Sequence, residues 1–345
     1  MPKPTVLLIY TGGTIGMVQD SKSGDLKPVD FNHLFEYIPE LHRMDVNIHT
    51  HTFPPIDSSN SSPKLWMELV QLIHQNYSRY DGFVILHGTD TITYTASALS
   101  FMLDGLNKPV ILTGSQLPIG VLRTDGKENI ITAIQIASDK DHNGTAIVQE
   151  VAIYFEYKLY RGNRSIKYSA HHFDAIQSPN YPPLAESGIH IEYHTSALWR
   201  NKKQDHLHIH TRLNQKISVL HLFPGIDFHM VKKQYDYIDL KALILRTYGT
   251  GNAPTDPYFL DWLKDLIHRE ILVLNVTQCL HGSVHLGKYE TSKYLKDIGV
   301  VSAYDMTLEA SITKMMYLLG KEKNVSDVRN KLTKNMRGEI TEPSV

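Results

Sequence analysis

Short runs of apolar, β-favouring residues alternate along the first half of the chain with segments whose apolar positions recur at helical spacing. Thr5 to Tyr10, Gly82 to His87, Pro109 to Thr113 and Val151 to Phe155 are near-continuous rather than alternating, as in strands buried on both faces of a parallel sheet. Between them, Trp66, Leu69, Val70, Ile73 and Tyr77 fall on one face of a helix that Pro63 opens, with Ser62 as its N-cap. Phe31, Leu34, Phe35 and Ile38 predict a helix after Asp30, and Ile130, Ile134 and Ala137 another after the polar stretch Thr124 to Glu128. Strands and helices that take turns imply an open α/β fold. Its right-handed crossovers gather the strand C-terminal ends, and the loops that follow them, on one edge.

From Pro179 to Gln215 the periodicity fades into a polar, Pro- and His-containing stretch with the character of a linker. A second series then begins: Ile217 to Phe223, Ala242 to Arg246 and Ile271 to Val276 read as strands, Tyr258 to His268 and Leu308 to Leu319 as helices. The expected organisation is a larger N-terminal domain (1–190) with a mainly parallel sheet, a linker (191–215) and a smaller C-terminal α/β domain (216–345). A chain of 345 residues divided in this way can bury two cores without disulfides or metals.

Composition narrows the partners. With 35 Lys plus Arg against 36 Asp plus Glu, there is no electrostatic case for nucleic acid or an anionic membrane, and a small neutral or zwitterionic molecule fits better. The apolar run Val6 to Tyr10 is too short for a signal sequence, and nothing is long enough to span a bilayer. The single cysteine, Cys279, points to a reducing compartment, so the cytoplasm is the expected location. Following a buried strand, it reads as a packing residue.

Two turns carry candidate chemistry. Thr11-Gly12-Gly13-Thr14-Ile15-Gly16 follows the first strand, and its glycines let backbone N–H groups approach a ligand beside the Thr14 hydroxyl. Its spacing matches neither a dinucleotide fingerprint nor a P-loop, although a plain tight turn remains open. His87-Gly88-Thr89-Asp90-Thr91 follows the strand at Phe83 to Leu86 and should face Thr14 across the same edge. A threonine nucleophile needs a base and a group to orient that base, and Asp90 could be the orienting group. Asp90 could equally cap the helix that follows. Asp57-Ser58-Ser59 is by itself an ordinary loop before a helix, and Lys167 by itself an ordinary surface lysine. His206, His208 and His210 would share one face of a strand, but with no acidic or Cys ligand at that spacing they read as a solvent face, and no metal is expected.

Together, Thr11 to Gly16, the His87 to Thr91 turn and Tyr160-Arg161-Gly162-Asn163-Arg164-Ser165-Ile166-Lys167 resemble the bacterial type I L-asparaginases. The resemblance extends through Thr113-Gly114-Ser115-Gln116, Tyr248-Gly249-Thr250-Gly251-Asn252-Ala253-Pro254 and Asp305-Met306-Thr307-Leu308-Glu309-Ala310. It implies a cytoplasmic amidohydrolase that converts L-asparagine to L-aspartate and ammonia without metal or cofactor, as a homodimer or homotetramer. It makes Thr14 the nucleophile of an acyl-enzyme, with Thr89, Lys167 and Asp90 as a second cluster. Asp57, Ser58 and Ser59 become binders of the substrate α-carboxylate, Thr89 and Asp90 also contact substrate, and the glycine turns supply oxyanion donors.

Two features depart from the family pattern. No tyrosine stands in the segment Gly24 to Pro28 after the nucleophile, so activation of Thr14 is expected to run from Lys167 through Thr89 or water. Ile166 replaces the small polar residue that relatives place before the lysine, where some members bind a regulatory asparagine. The loop from Met17 to Lys27, without large apolar residues between Val18 and Leu26, is expected to be a mobile lid. An ammonia-supplying amidotransferase subunit would share these residues but precede them with a further domain, for which Thr11 leaves no room. A non-catalytic asparagine sensor would not need Thr14, Thr89, Asp90 and Lys167 together.

Overall fold

The computed structural model describes residues 3–19, 26–28, 34–201, 206–236 and 238–341. The chain forms two compact units, divided between Thr211 and Arg212.

The first unit is built on eight strands: β1 (Thr5–Gly12), β2 (Asn47–Ile56), β3 (Gly82–Leu86), β4 (Val110–Thr113), β5 (Val151–Phe155), β6 (Lys158–Arg161), β7 (Ala185–Ser187) and β8 (Ile191–Tyr193). Their order across the sheet is β8-β7-β6-β5-β4-β3-β1-β2. The five strands β1 to β5 pair in parallel, whereas β6, β7 and β8 extend the sheet antiparallel. Every residue of β3, β4 and β5 is buried, which is why these segments are apolar at consecutive positions. Each large aliphatic or aromatic side chain buried there contributes about 1.5–3 kcal/mol.

Three helices cover the sheet: α1 (Pro63–Asn76), α2 (Ile92–Met102) and α3 (Gly126–Ser138). The stripe foreseen on α1 is its buried face, and Ser62 holds the N-cap position without making a side-chain cap bond. Of the helix expected after Asp30, the described residues form one turn, Leu34–Tyr37, followed by a 3-10 segment, Pro39–Arg43. Pro39 has no N–H to donate back into a helix, which stops it there. Phe31 and residues 20–25 of the expected lid lie outside the described residues, while Met17–Gln19 and Leu26–Pro28 pair antiparallel on either side of that segment. The polar stretch after Pro179 supplies β7 and β8, and His208–Ile209 pairs with Leu103–Asp104.

The second unit has four parallel strands in sequential order: β9 (Ile217–His221), β10 (Ala242–Thr247), β11 (Leu272–Thr277) and β12 (Val301–Ser302). Its helices are α4 (Phe228–Tyr235), α5 (Pro257–His268), α6 (Glu290–Asp297), α7 (Leu308–Lys321) and α8 (Val325–Leu332). Phe259, Trp262 and Leu263 of α5 fill the core against Leu243, Leu245 and Val273. A fully buried ion pair joins Lys314 of α7 to Glu339 at 2.5 Å. Lys314 also donates to the carbonyls of Leu332 and Lys334, and Glu339 accepts the N–H groups of Met336 and Arg337. The segment after α8 is thereby fastened back onto α7. No helix among the described residues is long and apolar enough to cross a membrane.

Candidate active site

The strand order contains a switch point. From β1 the sheet grows on one side to β2 and on the other to β3, and the C-terminal ends of strands at such a switch point are where open α/β sheets take ligands. Both threonine turns sit there. β1 ends at Gly12, and after Gly13 the chain makes a 3-10 turn, Thr14–Gly16. Gly13 has φ +88°, and a Cβ built on it would lie 2.5 Å from the N and Cα of Gly88. The two turns therefore touch backbone to backbone, which only a residue without a side chain allows. A Cβ on Gly88 would in turn lie 2.5 Å from Ser58 Oγ, so the loop after β2 joins the same cluster. Thr14 is half-buried, and its hydroxyl has no hydrogen-bond partner among the described residues. Beneath it, the Tyr10 phenol donates to Gly16 O at 3.2 Å, and burial pushes its pKa up to about 12.

Lys167 reaches this cluster from a short ribbon, Ile166–Lys167 paired antiparallel with Ile176–Gln177. Its Nζ donates to Thr89 Oγ1 at 3.0 Å and to the Asp90 carboxylate. Thr89 Oγ1 donates onward to Gln116 Oε1 at 3.2 Å, and Gln116 Nε2 donates to His172 O at 3.0 Å. Asp90 does not cap α2. The N-cap is Thr91, whose hydroxyl donates to Ser58 O at 2.7 Å, leaving Asp90 to the lysine. The segment before Lys167 is pinned from below. Arg161 donates to Glu150 at 2.6 Å, both side chains being nearly inaccessible, and its guanidinium lies 4.4 Å from the Tyr181 ring centre. Ser97 of α2 donates to Gly162 O, and Ser165 to Arg161 O.

Of the sequence candidates, Thr89, Asp90 and Lys167 are in mutual contact, and the Gly13 and Gly88 contacts bring the Thr14 turn and Ser58 alongside. Asp57 and Ser59 are exposed. Asp57 Oδ1 accepts both the N–H and the hydroxyl of Ser59 at 2.8 Å, and these bonds hold its pKa below the usual carboxylate range. Both donors of Ser59 are thus engaged within the loop.

Two supporting residues, Gln116 and His87, carry no signal in the sequence beyond lying in turns. Gln116 orients the Thr89 hydroxyl, and its own N–H is held by Asp125 at 2.9 Å. Burial raises the pKa of that carboxyl. His87 is fully buried, and burial pushes its pKa down to about 4. In the neutral tautomer that fits its surroundings, Nδ1–H donates to Gly88 O at 2.8 Å, while Nε2 accepts from the Thr95 hydroxyl at 3.0 Å. Trp66 Nε1–H donates to that same hydroxyl at 3.0 Å, so a directed chain runs from α1 to the Gly88 peptide.

No group of three or more His, Cys, Asp or Glu among the described residues could hold a metal ion. His210 Nε2 lies 3.9 Å from Asp104. Cys279, expected in the packing, is instead exposed just beyond β11, where the chain has left the buried sheet.

Residues 5–199 match the family described as Asparaginase, N-terminal, and residues 216–332 the Glutaminase/Asparaginase C-terminal domain. L-asparaginase 1 of Escherichia coli (strain K12) is 44% identical over 347 residues, covering 99% of each chain. Among solved structures, L-asparaginase I from Vibrio cholerae O1 biovar eltor aligns with a TM-score of 0.89 and 40% identity, covering 99% of this chain and 100% of that one. A glutamyl-tRNA(Gln) amidotransferase subunit from Methanobrevibacter smithii is more distant, at 29% identity over 99% of this chain and 78% of its own. Both family domains occur here in one chain, and they match on either side of the boundary between its two units: the protein belongs to the asparaginase family.

Proposed function

We infer that the protein is an L-asparaginase, hydrolysing the side-chain amide of L-asparagine through Thr14. The observation that carries this reading is the contact set Lys167–Thr89–Asp90 beside the Gly13–Gly88 contact, which sets a half-buried hydroxyl with no partner among the described residues next to a polar relay and the backbone of two glycine turns. Thr14 Oγ attacks the amide carbon. The C–N bond breaks, ammonia leaves with the hydroxyl proton, and an ester joins Thr14 to the aspartyl group; water then cleaves the ester and restores the hydroxyl. Lys167 moves protons through Thr89, whose hydroxyl Gln116 keeps aligned. Backbone N–H groups of the two glycine turns stabilise the oxyanion. Asp90 meets the substrate ammonium, and Ser58 and Ser59 take its α-carboxylate. The carboxylate competes with Asp57 for the Ser59 donors.

We place the enzyme in the cytoplasm as a homo-oligomer, the first from its single cysteine, the second from the family. Ammonia release from L-asparagine tests the reading. Wild type should turn over, also after EDTA dialysis, while Thr14→Ala and Lys167→Met should be folded and lose activity by several orders of magnitude. An active Thr14→Ala variant would sink it.

A further inference from the structure

In the second unit a cavity of about 460 Å³ opens beside the edge strand β12, lined also by residues of α6 and α8. Its floor is apolar, formed by the buried Val284, Val300 and Val301, with Tyr304 beside them. Two basic side chains line it, Lys296 and Arg329, and among the described residues no carboxylate does. Some other cations of this unit pair with acids, among them Lys331, on the same helix as Arg329, with Glu322. Lys296 has no ion pair or side-chain hydrogen bond among the described residues. Arg329 gives one N–H to Gly299 O at 2.5 Å, a bond that fixes the guanidinium and leaves its remaining donors unassigned. Two uncompensated like charges in one concavity favour an anion there. The volume falls within the usual range of small-molecule sites and exceeds what an inorganic anion fills, and the apolar floor suits a ligand with a carbon body.

We propose that this cavity binds a small organic phosphate monoester, its phosphate between Lys296 and Arg329 and its body on the Val284, Val300 and Val301 floor. Arginine forks and lysine ammonium groups are the usual partners of phosphate oxygens. The site shares no residue with the proposed amidase centre, and its test needs no turnover.

Adenosine monophosphate and inorganic phosphate serve as probes in calorimetric titrations of the full chain at low and high salt. The nucleotide should saturate one site per chain, bind about tenfold or more tighter than inorganic phosphate because of the floor, and weaken as salt rises. Lys296→Met should weaken it by about tenfold or more. Thr333→Asp, which adds a carboxylate at an exposed lining position, should weaken it too, with thermal melts confirming that both variants fold. Failure of the nucleotide to saturate would overturn the proposal, as would binding that neither variant changes. Equal affinity for both probes would overturn it as well, because the Val284, Val300 and Val301 floor would then contribute nothing.

Discussion

His87 should make the folded enzyme sensitive to acid in a window where a surface histidine would not. An unfolded histidine titrates near the ordinary value of about 6.5, and burial lowers the folded value to about 4. Between these values the unfolded chain holds a proton at this position that the folded chain does not. The stability is therefore complete above about pH 6.5 and declines as the pH falls towards 4. A difference of about 2.5 units at about 1.4 kcal/mol each gives a loss of about 3 kcal/mol by pH 4. Glutamine can donate to Gly88 O and accept from Thr95 without titrating, so His87→Gln isolates the proton from the hydrogen bonds. Urea-unfolding midpoints across this pH range, followed by far-UV circular dichroism, should diverge, wild type losing about 3 kcal/mol more than the variant. Parallel decline of the two proteins would show that His87 does not titrate between the states as argued.

Other outcomes follow from the same geometry. Gly13→Ala forces a Cβ into the Gly88 backbone at a positive φ, and the displaced turn should lower kcat/KM by about a hundredfold with the fold retained, as measured by ammonia release and a thermal melt. Gln116→Leu leaves Thr89 Oγ1 without its acceptor, and kcat should fall about tenfold or more while Gln116→Glu, which keeps an acceptor, loses less. Lys314→Met strands the Glu339 carboxylate at zero exposure and should cost about 3–5 kcal/mol in urea unfolding, with Lys314→Met/Glu339→Leu recovering much of it.

The parallel strands were legible because two-sided burial writes itself as consecutive apolar residues, as in Gly82–Leu86 and Val151–Phe155. The turns after β1 and β3 were legible as a pair because strand ends share an edge. β7 and β8 were not: at three residues each, with Glu186 and Glu192 exposed, they offer no period to read. Lys167 illustrates the limit for the site. Nothing in its neighbours announces that a two-residue ribbon will carry it to Thr89, 78 positions earlier, and only the family resemblance singled it out. His87 and Gln116 were invisible as supports because a hydrogen bond to a distant backbone or hydroxyl leaves no spacing in the sequence.

The antiparallel extension of the sheet has a consequence for biosynthesis. Chain growth delivers β1 and its threonine first and β3 with Thr89 next, and the hairpin of β5 and β6 that leads to Lys167 only later. A nascent chain halted after Phe155 would hold both hydroxyl turns but not Lys167. The three segments of the candidate site are therefore synthesised in a set order, with Lys167 last, and a time course of ribosomal synthesis should show no turnover until that lysine has left the exit tunnel.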